Sequence, residues 1–150
     1  MKVGIISCGS TKKNYPCPAS EMYEDGRFFS LLKSYVEENY DRYYILSGHY
    51  GLLDPEQIIE PYPDTVFFVQ KIFRDKAKKE GRTLKAVPKE QQRQWGIDVA
   101  NAIDWNQFDK VDFHINIYYW KNLEPHFTDL DKFEFHKFAR RLGPAMQKYR

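Results

Sequence analysis

His49 and the carboxylates Asp54, Glu60 and Asp64 fall within sixteen residues of one another in the segment 46–65, LSGHYGLLDPEQIIEPYPDT. Such a group can activate water, stabilise the oxocarbenium-like charge that develops at a sugar carbon, or bind a metal. Tyr50 and Tyr62 bring rings able to stack on a nucleobase. Pro61 and Pro63 flank Tyr62 and fix the backbone on either side of it, which holds the ring at low entropic cost. Glu60, Asp54 and His49 are therefore the candidate catalytic residues. The structural alternative is that Asp54 caps a turn, Glu60 is solvated and the tyrosines pack.

A second polar segment, Cys8-Gly9-Ser10-Thr11-Lys12-Lys13-Asn14, has the makings of an anion cradle. Glycine lets the backbone turn closely, hydroxyls donate hydrogen bonds and lysines bring charge. The spacing of a P-loop is absent and no helix clearly follows, which disfavours ATP hydrolysis. Cys8 would either line a pocket or act as a nucleophile with His49 as its base; a small buried core thiol is the structural alternative. The candidate substrate-binding set is Cys8, Gly9, Ser10, Lys12, Lys13, Tyr23, Ser47, Tyr50 and Tyr62. Cys8 and Cys17 are too few for a disulfide scaffold or a four-ligand zinc site and read as reduced thiols. His114, His126 and His136 are far apart and lack ligand spacing, so they read as surface or core residues. No metal and no cofactor is expected.

These segments need elements to hold them. Residues 2–8 (KVGIISC) form a short β-branched run that stops at Gly9, a buried strand. Residues 27–39 place Phe28, Leu31, Leu32, Tyr35 and Val36 at helical spacing. Residues 42–47 (RYYILS) predict a second strand, stopped by Gly48, and the proline-containing segment 51–64 reads as a loop. A helix is expected over 65–77, a mobile basic stretch over 78–85, and a helix from Pro88 to about Ile103 with Trp95, Val99 and Ile103 on one stripe. Residues 110–118 (KVDFHINIY) alternate and predict a third strand, half exposed or at an edge. A helical turn or two is expected over 119–126, and a helical tail over 139–150 interrupted by Gly143-Pro144. Strand, helix, strand, helix, strand is the signature of an α/β layer with a mostly parallel sheet. In such sheets ligands bind beyond the carboxyl ends of the strands, so the loops 9–18 and 48–65 should face one pocket.

The whole chain, 150 residues and 18.0 kDa, fits a single α/β domain, residues 1–150. With 42% hydrophobic and 29% charged residues it is no disordered chain, and no apolar run is long enough to span a membrane. A cytoplasmic protein is expected. The net charge of +2 hides an asymmetry. Residues 20–64 hold ten acidic side chains against Arg27, Lys33 and Arg42, whereas 71–93 hold nine basic against three acidic. The segment 132–150 adds Lys132, Lys137, Arg140, Arg141, Lys148 and Arg150. A basic face of this kind suggests a polyanion, with Lys78, Lys79, Arg82, Lys85, Arg140 and Arg141 as candidate nucleic-acid contacts; a solvated basic segment is the alternative.

Two motifs carry a resemblance. Leu46-Ser47-Gly48-x-Tyr50-Gly51-Leu52-Leu53-x-Pro55 followed by Ile59-x-Pro61-Tyr62 resembles the motif of the YaaA-type peroxide-stress proteins. The opening Cys8-Gly9-x-x-Lys12-Lys13, then Pro18-Ala19-x-x-Met22-Tyr23-x-x-Gly26-x-Phe28, is closer to a group of small bacterial and phage domains of unassigned function with a Leu-Ser-x-x-x-Gly-Leu-Leu-Asp-Pro…Glu-Pro-Tyr centre. The likeness covers residues 3–65 well and the remainder in outline. It implies a three-layer Rossmann-like or uracil-DNA-glycosylase-like fold and an association with DNA or modified bases. That family's Lys12, Tyr23, Glu60 and Tyr62 positions are kept here. Positions 49–50 are His-Tyr where Lys-His is expected in relatives, and neither an activating-Asp nor a His-Pro glycosylase motif is present.

Three functions follow. The first is an enzyme of N-glycosidase or DNA-glycosylase type acting on DNA or nucleotides through the two-loop pocket. The second is a non-catalytic nucleic-acid binder using 71–93 and 132–150. The third is a bacterial or phage regulator that binds a protein or a nucleotide.

Overall fold

The computed structural model of the protein describes residues 1–67, 71–127 and 131–137. The unbroken apolar run after Lys2 makes β1 (Lys2–Ser7), buried from Val3 to Ser7. A strand buried on both faces belongs inside a sheet, and β1 lies at its centre.

The elements follow in order as β2 (Cys17–Pro18), α1 (Ala19–Met22), α2 (Arg27–Asn39), β3 (Arg42–Ser47), β4 (Gly51–Leu53), β5 (Ile58–Ile59), β6 (Asp64–Val66), α3 (Lys71–Lys79), β7 (Leu84–Ala86), α4 (Lys89–Ala100), β8 (Lys110–His114), α5 (Ile117–Leu123) and β9 (Phe133–Phe135). The main sheet has the order β4-β3-β1-β8-β9. β1 pairs in parallel with both β3 and β8, and β8 with β9; β4 alone runs antiparallel, folded back on β3. Two small ladders lie outside it, β2 against β5 and β6 against β7. The fold is thus mixed α/β with a mostly parallel five-stranded sheet.

Alternation along the strands sends side chains to two cores. Val3, Ile5, Leu46, Val111 and Phe113 pack with Trp95 and Val99 of α4 and Trp120 and Leu123 of α5. On the other face Ile6, Ile45 and Leu53 meet Phe29, Leu32 and Val36 of α2, with Met22 and Tyr23. The chain therefore leaves β1 over one face to reach β3, and crosses the other face before returning beside β1 as β8. The order reverses at β1, and there the loops on either side separate and open a crevice.

Expected elements are recovered where periodicity is strong. α2 and β3 have the predicted bounds, β1 ends one residue earlier than expected, and α4 stops at Ala100. Four expectations are corrected. Residues 64–66 are a strand, and helix α3 is described over Lys71–Lys79. The stretch expected to be mobile contains β7, which pairs with β6 (Asp64 opposite Leu84). Short strands β4 and β5 sit inside the predicted loop 51–64. β8 is an inner strand buried from Val111 to His114, and it ends there because Asn116 caps α5, its side-chain oxygen accepting from Tyr119 N at 2.9 Å. The tail 139–150 lies outside the described residues. Among the described residues no helix is long and apolar enough to cross a membrane.

The α4–α5 contact depends on Gly96. A Cβ there would stand 2.2 Å from the Asn122 carbonyl oxygen, and backbone cannot yield as a flexible side chain would. Gly96→Ala gains up to about 1 kcal/mol of helix propensity and loses more through overpacking. A net loss of about 2 kcal/mol is expected, read as a lower urea midpoint at unchanged m-value.

Candidate functional site

A cavity of about 290 Å³ opens where β1, β3 and β8 end, lined by Cys8, Gly48 and Asn116 among others. Cys8 N donates to the Leu46 carbonyl at 3.0 Å and Asn116 N to Ser7 Oγ at 3.2 Å, which stitches the three strand ends together. The loops 9–18 and 48–65 meet across this cavity, as expected: Gly9, Ser10 and Lys12 face Tyr62, Asp64 and Thr65.

Its polar floor is an ion pair. Lys12 Nζ lies 2.6 Å from Asp64 Oδ1, with the side chains only 10% and 13% exposed. Lys12 also donates to the Ser10 carbonyl at 3.3 Å and sits 4.8 Å from the centre of the Tyr62 ring. The pairing of β6 with β7 brings in Arg82, whose Nε lies 3.4 Å from Asp64 Oδ2 while its Nη1 reaches Glu80 at 3.3 Å. Two cations thus share one carboxylate in the cavity lining. Phe67, Tyr118 and Tyr119 supply the facing wall.

Behind Tyr62 runs a hydroxyl relay. Ser47 Oγ accepts from His49 N at 3.1 Å and Tyr50 N at 3.0 Å. With both lone pairs engaged, its proton is directed to Tyr62 Oη at 2.9 Å, and Tyr62 in turn meets Tyr23 Oη. Burial first, and then the neighbouring Cys8, pushes both phenols well above their ordinary range, so they act as neutral hydrogen-bonding groups. Burial also pushes the Cys8 thiol up, against the opposing hydrogen bonds of Tyr62 and Tyr119 and the charge of Lys12. Cys8 Sγ lies 3.9 Å from Tyr119 Oη. A thiol held protonated beside neutral phenols is a poor nucleophile, and His49 does not line the cavity.

Of the proposed substrate-binding residues, Cys8, Gly9, Ser10, Lys12 and Tyr62 line the cavity, while Ser47 and Tyr23 are buried behind it. Lys13 is instead engaged with Asp25 at 2.9 Å and Glu24 at 3.5 Å. Tyr50 is on the surface, donating to the Glu60 carbonyl at 3.1 Å and accepting from Glu60 N at 3.3 Å. Of the proposed catalytic residues, none lines the cavity. His49 stacks on the Tyr62 ring at 4.6 Å, 14° from parallel; burial, Lys85 and Lys12 lower its pKa. Asp54 accepts from Glu56 N at 2.9 Å and lies 3.5 Å from Arg42, a turn cap. The Glu60 side chain is exposed. Asp64 is the carboxylate that the cavity holds.

Of the basic candidates, Arg82 reaches the cavity, and Lys78, Lys79 and Lys85 are exposed. Arg140 and Arg141 lie outside the described residues. Phe67, Asn116, Tyr118 and Tyr119 escaped sequence reading; the Gly-free turn after β8, closed by an Asn cap, is the one local signal of a third strand end. From Phe67 and Tyr118 a wider groove of about 760 Å³ continues past Lys89, Arg93 and Lys121 to His126.

A separate polar cluster lies on the α2 face of β8 and β9. Tyr40 Oη donates to Asp112 Oδ2 at 2.7 Å and sits 2.7 Å from His114 Nε2, and the His114 and His136 rings stack at 4.4 Å. The ligand atoms of Asp112, His114 and His136 lie within 4.8 Å of one another. His114 is buried, in keeping with its reading as a surface or core residue, and the pairing of β8 with β9 brings His136 beside it although the two are far apart in the sequence. Burial alone would raise the Asp112 carboxyl, yet His136 at 3.4 Å, the Tyr40 hydroxyl and the charge of Lys110 hold it down at about 2. A carboxyl so depressed contributes stability above its unfolded value, and the contribution disappears as the pH falls through about 2. Acid titration in chelator-containing buffer should therefore remove about 2 kcal/mol between pH 5 and pH 2, and Asp112→Asn should flatten that part of the curve.

The family model described as a family of unknown function, DUF6884, matches residues 3–80, just over half of the chain. The searches of curated proteins and of solved structures each return no match.

Proposed function

The chain belongs to the DUF6884 family, and from that premise we propose that it is a nucleoside- or nucleotide-directed enzyme of N-glycosidase type, working in the cavity at the end of β1. The observation that carries this reading is the part-buried Lys12–Asp64 pair with Arg82 beside it, in one cavity with Phe67, Tyr118 and Tyr119. The parts match a nucleotide: cations for phosphate, rings for a base, and a carboxylate for the positive charge that grows at C1′ as the base departs. In this reaction the C1′–N bond breaks with its electron pair leaving on the base, and water forms the new C1′–O bond. Asp64 takes the water's proton, and the base gains one from solvent. The raised Cys8 thiol argues against a covalent route through sulfur.

On the same reading the sheet is Rossmann-like, and the likeness to YaaA-type and uracil-DNA-glycosylase-like proteins is one of shared architecture around a strand-end pocket. The compartment would be the cytoplasm. The test is incubation of the purified chain with ribo- and deoxyribonucleosides, their 5′-phosphates and short oligonucleotides, with free base resolved by chromatography. Release of base from any of them, lost in Asp64→Asn, supports the reading. No release across the set, with no thermal stabilisation by any nucleotide, overturns it.

One observation favours a second reading, a nucleic-acid binder. The groove beyond Phe67 and Tyr118 carries Lys89, Arg93 and Lys121, the spread of charge a phosphate backbone would need. Oligonucleotide affinity falling steeply with salt and indifferent to Asp64→Asn would favour it over the enzyme.

A further inference from the structure

Outside the nucleotide cavity one arrangement has the chemistry of a ligand set. The sequence contains acid-Phe-His twice, as Asp112-Phe113-His114 and Glu134-Phe135-His136. The two copies occupy neighbouring parallel strand ends in register, Asp112 opposite Glu134 and Phe113 opposite Phe135. Alternation buries Phe113 in the α4 and α5 core and packs the half-buried Phe135 against it, so both acids and both imidazoles project to the opposite face. His136 Nε2 lies 3.4 Å from Asp112 Oδ1 and 3.8 Å from Glu134 Oε2.

We propose that Asp112, His114 and His136 bind a divalent transition-metal ion of the zinc type, and that Glu134 at the rim, paired with Lys110 at 2.7 Å in the metal-free chain, turns in as a fourth oxygen. Two imidazoles and a carboxylate suit zinc far better than magnesium or calcium. Ligand atoms on one tetrahedral zinc at about 2.1 Å stand about 3.4 Å apart, the spacing already found between Asp112 and His136. A second observation points the same way: Asp112 Oδ1 is buried, its side chain 6% exposed, and its neighbours His136 Nε2 at 3.4 Å and Lys110 Nζ at 3.7 Å stand at ion-pair distance, outside hydrogen-bonding geometry. Tyr40, which donates to Asp112 Oδ2, is placed to orient that carboxylate from outside the ligand set, as metal-binding carboxylates require. The ion would tie β9, a strand of three residues, to β8. This inference does not rest on the nucleotide reading, since none of these residues lines that cavity.

The full chain, stripped with chelator, is titrated with zinc chloride by calorimetry, and cobalt(II) is added in parallel as a spectroscopic probe. One ion per chain is expected, with micromolar or tighter affinity. At a hundredfold excess over Kd the melting temperature should rise by roughly 5–10 °C. Cobalt should give visible d–d bands without the near-ultraviolet charge-transfer band of thiolate ligation. His136→Gln and Asp112→Asn should each weaken binding at least about 100-fold, whereas Lys12→Ala, in the other cavity, should bind zinc as the parent does. Because Asp112 is buried, His136→Gln at the edge is the decisive variant, with circular dichroism confirming its fold. Absence of stoichiometric zinc in the parent chain, or zinc that survives His136→Gln, overturns the proposal.

Discussion

Asp64→Asn is expected to lower release of base about 10³-fold while nucleotide binding tightens. The amide keeps the shape of the carboxylate and can still accept hydrogen bonds from Lys12 and Arg82, but it can neither take a proton from water nor offset charge at C1′. Contributions of that kind run from about 10² to 10⁴ in rate. The same substitution removes the anion that two cations share, at 2.6 and 3.4 Å, which leaves Lys12 available to phosphate and Arg82 held only by Glu80. A fall in kcat with a simultaneous fall in Kd for a nucleoside monophosphate is therefore the signature. Single-turnover rates and calorimetric titration measure the two halves. Undiminished base release would remove Asp64 from the reaction, and unchanged affinity would show that Lys12 and Arg82 do not meet the phosphate.

The second large effect concerns folding. Lys12→Met strands Asp64 in a place where little water reaches it, with only Arg82 still in range. Breaking one side of a fully buried pair costs about 3–5 kcal/mol; this pair is part-buried and the guanidinium remains, so about 2 kcal/mol is expected. Lys12→Met combined with Asp64→Leu removes both charges and should recover to within about 1 kcal/mol of the parent, since a well-packed apolar pair often replaces a buried ion pair without loss. Urea unfolding of the four proteins closes the cycle. A double variant as unstable as the single would mean that the pair holds the loops together by its geometry and not merely by satisfying its own charges.

How far these residues could be read in advance depends on whether their partners are local. α2 announces itself through Phe28, Leu31, Leu32, Tyr35 and Val36 at helical spacing, although the stripe it buries is Phe29, Leu32 and Val36, and β1 and β3 do so because short β-branched or aromatic runs end at glycine. The two facing loops follow from the strand ends alone. The carboxylate does not. Asp54, Glu60 and Asp64 look alike in the chain, and what separates them is a turn amide on Glu56, open solvent, and Lys12 from 52 positions away. Arg82 joins that site only through the three-residue ladder of β6 and β7, too short to leave a period in the sequence. β8 misled in the other direction: alternation with Asp112 and His114 implies an exposed face, yet both are buried, beside Tyr40. Polar residues hidden by distant elements carry no local mark of their burial.

Trp95 lies against this site without entering it. Its indole N–H donates to the Ser47 carbonyl at 2.9 Å, and its ring sits 4.7 Å from Phe67 and 5.0 Å from Tyr119, both in the cavity wall. Whatever displaces those two rings changes the surroundings of an indole excited near 295 nm, a wavelength at which tyrosine hardly absorbs. The protein thus carries its own optical reporter: quenching or a spectral shift on adding a nucleotide, absent in Trp95→Phe, would time the filling of the cavity without a label.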